Sequence, residues 1–197
     1  MELTAPPRTP PTTRGQERRE RLLNAAAELV ATRGFHAVGV ADIGAAAGVT
    51  GAAIYRHFGT KTDVLVALFD RVVDELLDGA HQAAATGRTP GDTLATLVAA
   101  HVEFALRDRS VLAVYGQEAH NLRPEDRRRL RRKQRRYVEI WRAQLVGLDP
   151  ALPEARALAR VEAVFGLLNS VPNLSPSVPD DELRRELCRM ALAALTA

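Results

Sequence analysis

The 197-residue chain has one cysteine, Cys188, so an internal disulfide framework is excluded. That absence fits a reducing cytoplasm. Aromatic residues make up only 5%, and no apolar run approaches the ~20 residues of a membrane span. Scarce aromatics beside abundant Ala, Leu and Arg disfavour a β-sandwich or barrel and favour helix. Metal chemistry is not expected, because the five histidines lack ligand spacing and one cysteine cannot build a structural zinc site. No nucleophile stands in a motif with a neighbouring base, so neither an enzyme nor a cofactor is expected. Lysine is nearly absent: Lys61 and Lys133 are the only two. The net charge of +3 is modest, which makes the arrangement of charge more informative than its sum.

What is present is helical periodicity. Residues 1–13 carry Pro6, Pro7, Pro10 and Pro11, have no apolar core of a secretory signal, and read as a disordered tail. From Gly15 to Arg33, the residues Leu22, Leu23, Ala26, Leu29 and Val30 recur at three- and four-residue steps, and Gly34 offers a left-handed stop. A short helix fits Val40 to Ala47. Thr50 caps another that Gly59 ends, and Thr60 with Asp63 opens a long one reaching about Ala85. After a loop at 86–91, helices are expected at about 92–107, 110–122, 124–147, 153–171 and 180–196. The fold class expected is all-α, with a first helical domain at 14–60 and a second at 61–197.

The block from Val40 to Phe58 places two short helices around Gly48, with small residues Gly44 and Ala47 where they cross. Val49 and Ile54 are spaced to fill the gap between them. This is a helix-turn-helix pattern, which sets its second helix in the DNA major groove. Ala26, Gly34, Phe35, Ile43, Ala47, Gly48, Val49, Ile54, Tyr55, His57, Phe58, Lys61 and Leu65 together resemble the tetracycline-repressor (TetR) family of bacterial regulators, over about residues 15–77.

The resemblance implies a homodimer whose N-terminal helices bind double-stranded operator DNA of palindromic sequence. It further implies a C-terminal helical domain for ligand binding and dimerisation, in which a small-molecule inducer releases the DNA. By resemblance, Thr50 touches a phosphate, Tyr55 a phosphate or thymine, His57 makes a second backbone contact, and Lys61 holds a phosphate at a helix N-terminus. Arg14, in a group with Arg18, Arg19 and Arg21, is expected to add phosphate contact, the alternative being a solvated helix face. Gly39 and Gly51 depart from the Ser, Thr and basic or polar residues frequent in the family, and Ala52 and Ala53 follow Gly51. Base reading is therefore expected to lean on methyl contacts, backbone approach and DNA shape.

For the ligand, Phe104, Tyr115, Tyr137, Trp141, Phe165 and Asn169 supply an apolar pocket with a few polar groups. The Arg127–Arg136 run is a solvated face, or else a docking surface for the phosphates of an acyl-coenzyme A; Tyr115 to Trp141 resembles family members answering such esters. Apolar faces at 157–168 and 183–194 suit a dimer-forming bundle. The rival reading is a helical small-molecule-binding protein or enzyme without operator function, favoured by Gly39 and Gly51.

Overall fold

The computed structural model describes residues 13–49, 54, 55, 58–174 and 177–197. Among them every regular element is helical, as the composition predicted. In chain order these are α1 (Thr13–Arg33), α2 (Val40–Ala46), α3 (Lys61–Thr86), α4 (Pro90–Arg107), α5 (Arg109–Glu118), α6 (Pro124–Leu148), α7 (Glu154–Leu168) and α8 (Asp180–Thr196). The tail expected at 1–13, apart from Thr13, and most of the helix expected after Thr50 lie outside the described residues. Short 3-10 turns at Ala119–Asn121 and Val171–Asn173 follow α5 and α7. The helices expected across 110–122 and 153–171 are thus shorter α-helices, each followed by a tighter turn. The chain divides into two compact units between Leu65 and Val66, inside α3.

The first unit is held by the stripe that the periodicity marked. Leu22, Leu23, Ala26 and Val30 of α1 are buried, as are Ile43, Ile54 and Phe58. Gly34 ends α1 at φ +79°, its N–H bonded to the Val30 carbonyl at 2.9 Å. Gly48 makes the turn after α2 at φ +67°, and Val49 N–H returns to the Gly44 carbonyl at 2.8 Å. Both positions need the left-handed backbone that glycine adopts without a Cβ penalty. At the start of α3, Thr60 and Asp63 form a reciprocal cap. Thr60 N–H donates to Asp63 Oδ2 at 2.9 Å, and Asp63 N–H to Thr60 Oγ1 at 3.1 Å.

The cap of α2 is only half made. Gly39 N–H donates to Asp42 Oδ2 at 2.7 Å, but glycine has no side chain with which to reciprocate. Its φ of −93° and ψ of 163° are ordinary extended values, and the nearest neighbour of an added Cβ is the pliable Asp42 carboxylate at 3.1 Å. Gly39→Ser should complete the box and add a few tenths of a kcal/mol, roughly the Gly-to-Ser difference at an N-cap. Thermal unfolding checks it; a lower midpoint would mean that the carboxylate cannot give way.

The second unit is a helical bundle in which α4 packs on α6 and α8, and α7 packs on both of these. Thr89 caps α4 by accepting from Asp92 N–H at 3.1 Å, with Pro90 at the first helical position. Its core includes Leu97, Val98, Val102, Trp141, Val161 and Ala191, all at most 1% exposed. The expectation for the last two helices needs correcting in part. Ala157, Val161, Val164, Leu168, Leu187 and Ala191 are buried within this unit itself, whereas Met190 remains exposed.

Candidate functional site

Tyr55 is 61% exposed, while Ile54 beside it is fully buried and Phe58 nearly so. Phe58 N–H bonds to the Ile54 carbonyl at 2.8 Å, so two buried anchors hold one outward phenol. The Arg19 guanidinium lies 5.7 Å from the Phe58 ring centroid, a cation–π contact between α1 and that anchor. The Arg14 side chain, Thr50, Gly51, Ala52 and His57 lie outside the described residues.

Lys61 has an occupation that sequence reasoning missed. Its ammonium donates to the Phe35 carbonyl at 2.5 Å and stands 4.3 Å from the Phe35 ring centroid. Phe35 directly follows the Gly34 stop, so Lys61 fastens the chain leaving α1 to the start of α3. An ammonium carries three donors, so this bond leaves others for a phosphate.

In the second unit, α3, α4, α5, α6 and the end of α7 surround a cavity of about 270 Å³. Of the expected ligand residues, Phe104, Tyr115, Tyr137, Phe165 and Asn169 line it, together with Phe69, Val72 and Gln134. Trp141 does not. It is fully buried behind that wall, edge-on to Phe165 at 5.0 Å and to Tyr137 at 5.9 Å. It follows Tyr137 by four residues on α6, so both rings lie on the inward face, one above the other.

The polar centre of the cavity is His101, which no spacing argument picks out. Its Nδ1 lies 3.1 Å from Tyr137 Oη and its Nε2 lies 3.1 Å from Asn169 Oδ1. The imidazole stacks on Phe165 at 5.1 Å. Burial pushes its pKa down from 6.5 to about 4, against the opposing pull of the Asn169 bond, so the ring is neutral near pH 7. Asn169 Oδ1 accepts, so Nε2 carries the proton and Nδ1 accepts from the Tyr137 hydroxyl. Burial likewise pushes the Tyr137 phenol up. A signal for His101 existed in its central place on α4, but its partners come from two other parts of the chain.

Apart from Arg127, which donates to the His120 carbonyl at 3.3 Å, the Arg-rich run on α6 separates into two sets. Arg129 donates to Asp70 at 2.5 Å and to Asp126 at 2.7 Å, and Lys133 reaches both Asp70 and Asp74 at 2.8 Å. Burial raises the Asp70 carboxyl, but the bonds from Arg129 and Lys133 outweigh it and hold it below the usual range. These two cations join α6 to α3. Arg128, Arg131, Arg132, Arg135 and Arg136 are exposed, at the i, i+3, i+4, i+7, i+8 spacing of one helix face.

Two family models match this chain. Bacterial regulatory proteins, tetR family, matches residues 22–68, and a tetracyclin repressor-like C-terminal domain matches residues 87–173. The chain belongs to the tetR family. Among its curated relatives is the transcriptional activator FasR of Mycolicibacterium smegmatis, 38% identical over 92 residues, which are 47% of this chain and 42% of FasR. Another is the transcriptional repressor KstR2 of Rhodococcus jostii, 32% identical over 122 residues, 62% of this chain and 60% of KstR2. The matched segments thus span about half the length of these relatives. Among solved structures, the TetR-family regulator PfmR of Thermus thermophilus is 26% identical, with a TM-score of 0.74 over 88% of this chain and 97% of PfmR. The tetR match at 22–68 contains Tyr55 and Lys61, and the C-terminal match contains the five expected ligand residues that bound the aromatic cavity, from Phe104 to Asn169.

Proposed function

We propose that this chain is a ligand-responsive transcriptional regulator of the bacterial cytoplasm, most simply a repressor, that binds a palindromic operator as a homodimer. The observation that carries the reading is Tyr55, exposed between two buried anchors within the helix-turn-helix segment. A phenol in that position is free to meet a phosphate or a thymine methyl. Thr50, Gly51, Ala52 and His57 would complete the head, with Arg14 and Lys61 on flanking phosphates. Relatives of both signs, an activator and a repressor, make in vitro transcription the test of direction.

The cavity in the second unit is the proposed inducer site. Its aromatic and aliphatic walls suit an apolar body, and the acyl part of a coenzyme A ester meets that description. The exposed arginines of α6 then offer charge for such an ester's phosphates. To release DNA, the ligand must bind the non-operator conformation more tightly, since equal affinity for both shifts nothing. Footprinting of the protein on its own upstream DNA should protect a pseudo-palindrome with half-sites roughly 34–36 Å apart or a near multiple. An asymmetric footprint from a monomer would overturn the dimeric reading, and no protection anywhere would favour a binding protein without operator function.

Lys61 gives a sharper test. Lys61→Ala should weaken binding to all sequences about equally and make the salt slope shallower by about 0.9 for each phosphate no longer neutralised. Because Lys61 also holds the Phe35 carbonyl, the melting temperature should fall as well. A lower melting temperature with an unchanged salt slope would assign Lys61 to the fold alone.

A further inference from the structure

Among the described residues that line the cavity of the second unit there is no Asp, Glu, Lys or Arg. His101, Tyr115 and Tyr137 are the titratable groups on its walls, and His101 is neutral well below pH 7. The hydrogen bonds have a direction as well. The proton of Tyr137 goes to His101, and that of His101 Nε2 goes to Asn169. Gln134 Nε2 donates to Tyr115 Oη at 2.8 Å, which leaves the Tyr115 hydroxyl proton to point elsewhere. The amide of Asn169, an exposed residue, has donors beyond its bond to His101. The site therefore offers donors without a charge.

From this we infer that the cavity admits an apolar body bearing an uncharged carbonyl group, such as that of an ester, thioester, ketone or amide, and rejects the corresponding free carboxylate. The inference rests on the reading of this cavity as the ligand site. A carbonyl oxygen is an acceptor that Tyr115 and Asn169 can satisfy. A carboxylate would leave water for largely apolar walls with no cation among the described lining residues to pair it, and burying such a charge is costly enough that the group enters protonated instead. A carboxylic acid then binds only through its neutral fraction. Each pH unit above its own pKa weakens it about tenfold, while the ester is indifferent to pH.

The test uses the full chain and two matched pairs, octanoic acid with methyl octanoate and 4-phenylbutyric acid with its methyl ester. Affinity is read by calorimetry and by the emission of Trp141, the only tryptophan. For whichever skeleton binds, the ester should bind several hundredfold more tightly than the acid near pH 7.5. That advantage should shrink about a hundredfold on going down two pH units, to roughly pH 5.5. The ester's affinity should stay constant across that range. Gln134→Lys, which adds a cation to the cavity wall, should reduce the gap at the higher pH at least about tenfold. Acid and ester of equal, pH-independent affinity would overturn the inference while leaving the cavity as a ligand site. Failure of both esters and both acids to bind would overturn the ligand-site reading, and this inference with it.

Discussion

Acidification from about pH 6.5 to about pH 4 should cost the second unit on the order of 3 kcal/mol through His101 alone. Burial lowers the pKa of His101 from 6.5 to about 4 in the folded protein, and the unfolded chain restores the ordinary value. Between these values the unfolded state binds a proton that the folded state refuses. Stability is therefore complete above the unfolded pKa and drains away as pH falls toward the folded one. The Asp70 and Asp126 carboxyls, held low by their arginine and lysine partners, lose their contribution only at lower pH, below the usual value of 3.8. His101→Gln keeps hydrogen-bonding capacity between Tyr137 and Asn169 but cannot titrate in this range. Urea unfolding at a series of pH values should give a wild-type curve that steepens below about pH 6.5 and a His101→Gln curve that stays flatter. Parallel curves would refute the linkage.

Truncating Trp141 should have a comparable effect at neutral pH. Trp141→Ala removes a fully buried indole from a site enclosed by Tyr137, Phe165 and His101, and buried Trp-to-Ala changes cost about 3–5 kcal/mol. Trp141→Phe should cost far less. Among the described residues the buried Trp141 Nε1–H meets no acceptor in good hydrogen-bonding geometry, so the smaller ring loses packing but gives up no well-made hydrogen bond. Because Trp141 lies behind the cavity wall, Trp141→Phe should also retain ligand affinity within a few-fold, as roughly 1 kcal/mol of repacking would allow. Equal destabilisation by both substitutions, or loss of binding in Trp141→Phe, would mean that the indole itself is required at that wall.

The head was legible largely because its determinants are local. Gly34 and Gly48 stand where a helix must stop or turn, and both have the positive φ that their positions required. Thr60 and Asp63 cap each other across three residues, a distance that sequence spacing sees directly. The stripe from Leu22 to Val30 is buried because three- and four-residue steps place it on one helix face. The same logic put Trp141 on the inward face of α6, but periodicity says only that a residue faces inward. It does not distinguish the wall of a cavity from the layer behind it.

The apolar spacing, glycines, prolines and caps of this chain determined by themselves that it would be helical, where most helices begin and end, and that a helix-turn-helix lies near its start. Only the tertiary structure decided which inward side chains meet. Lys61 reaches the carbonyl of Phe35 across 26 positions, and His101 reaches Tyr137 and Asn169 across 36 and 68. The arginine run likewise divided into ion-paired and exposed members only when α3 brought Asp70 and Asp74 beside α6. Helical propensity and capping act over about four residues, the reach of one backbone turn. Contacts over dozens of positions depend instead on how whole helices cross, which is set by the packing of every side chain between them at once.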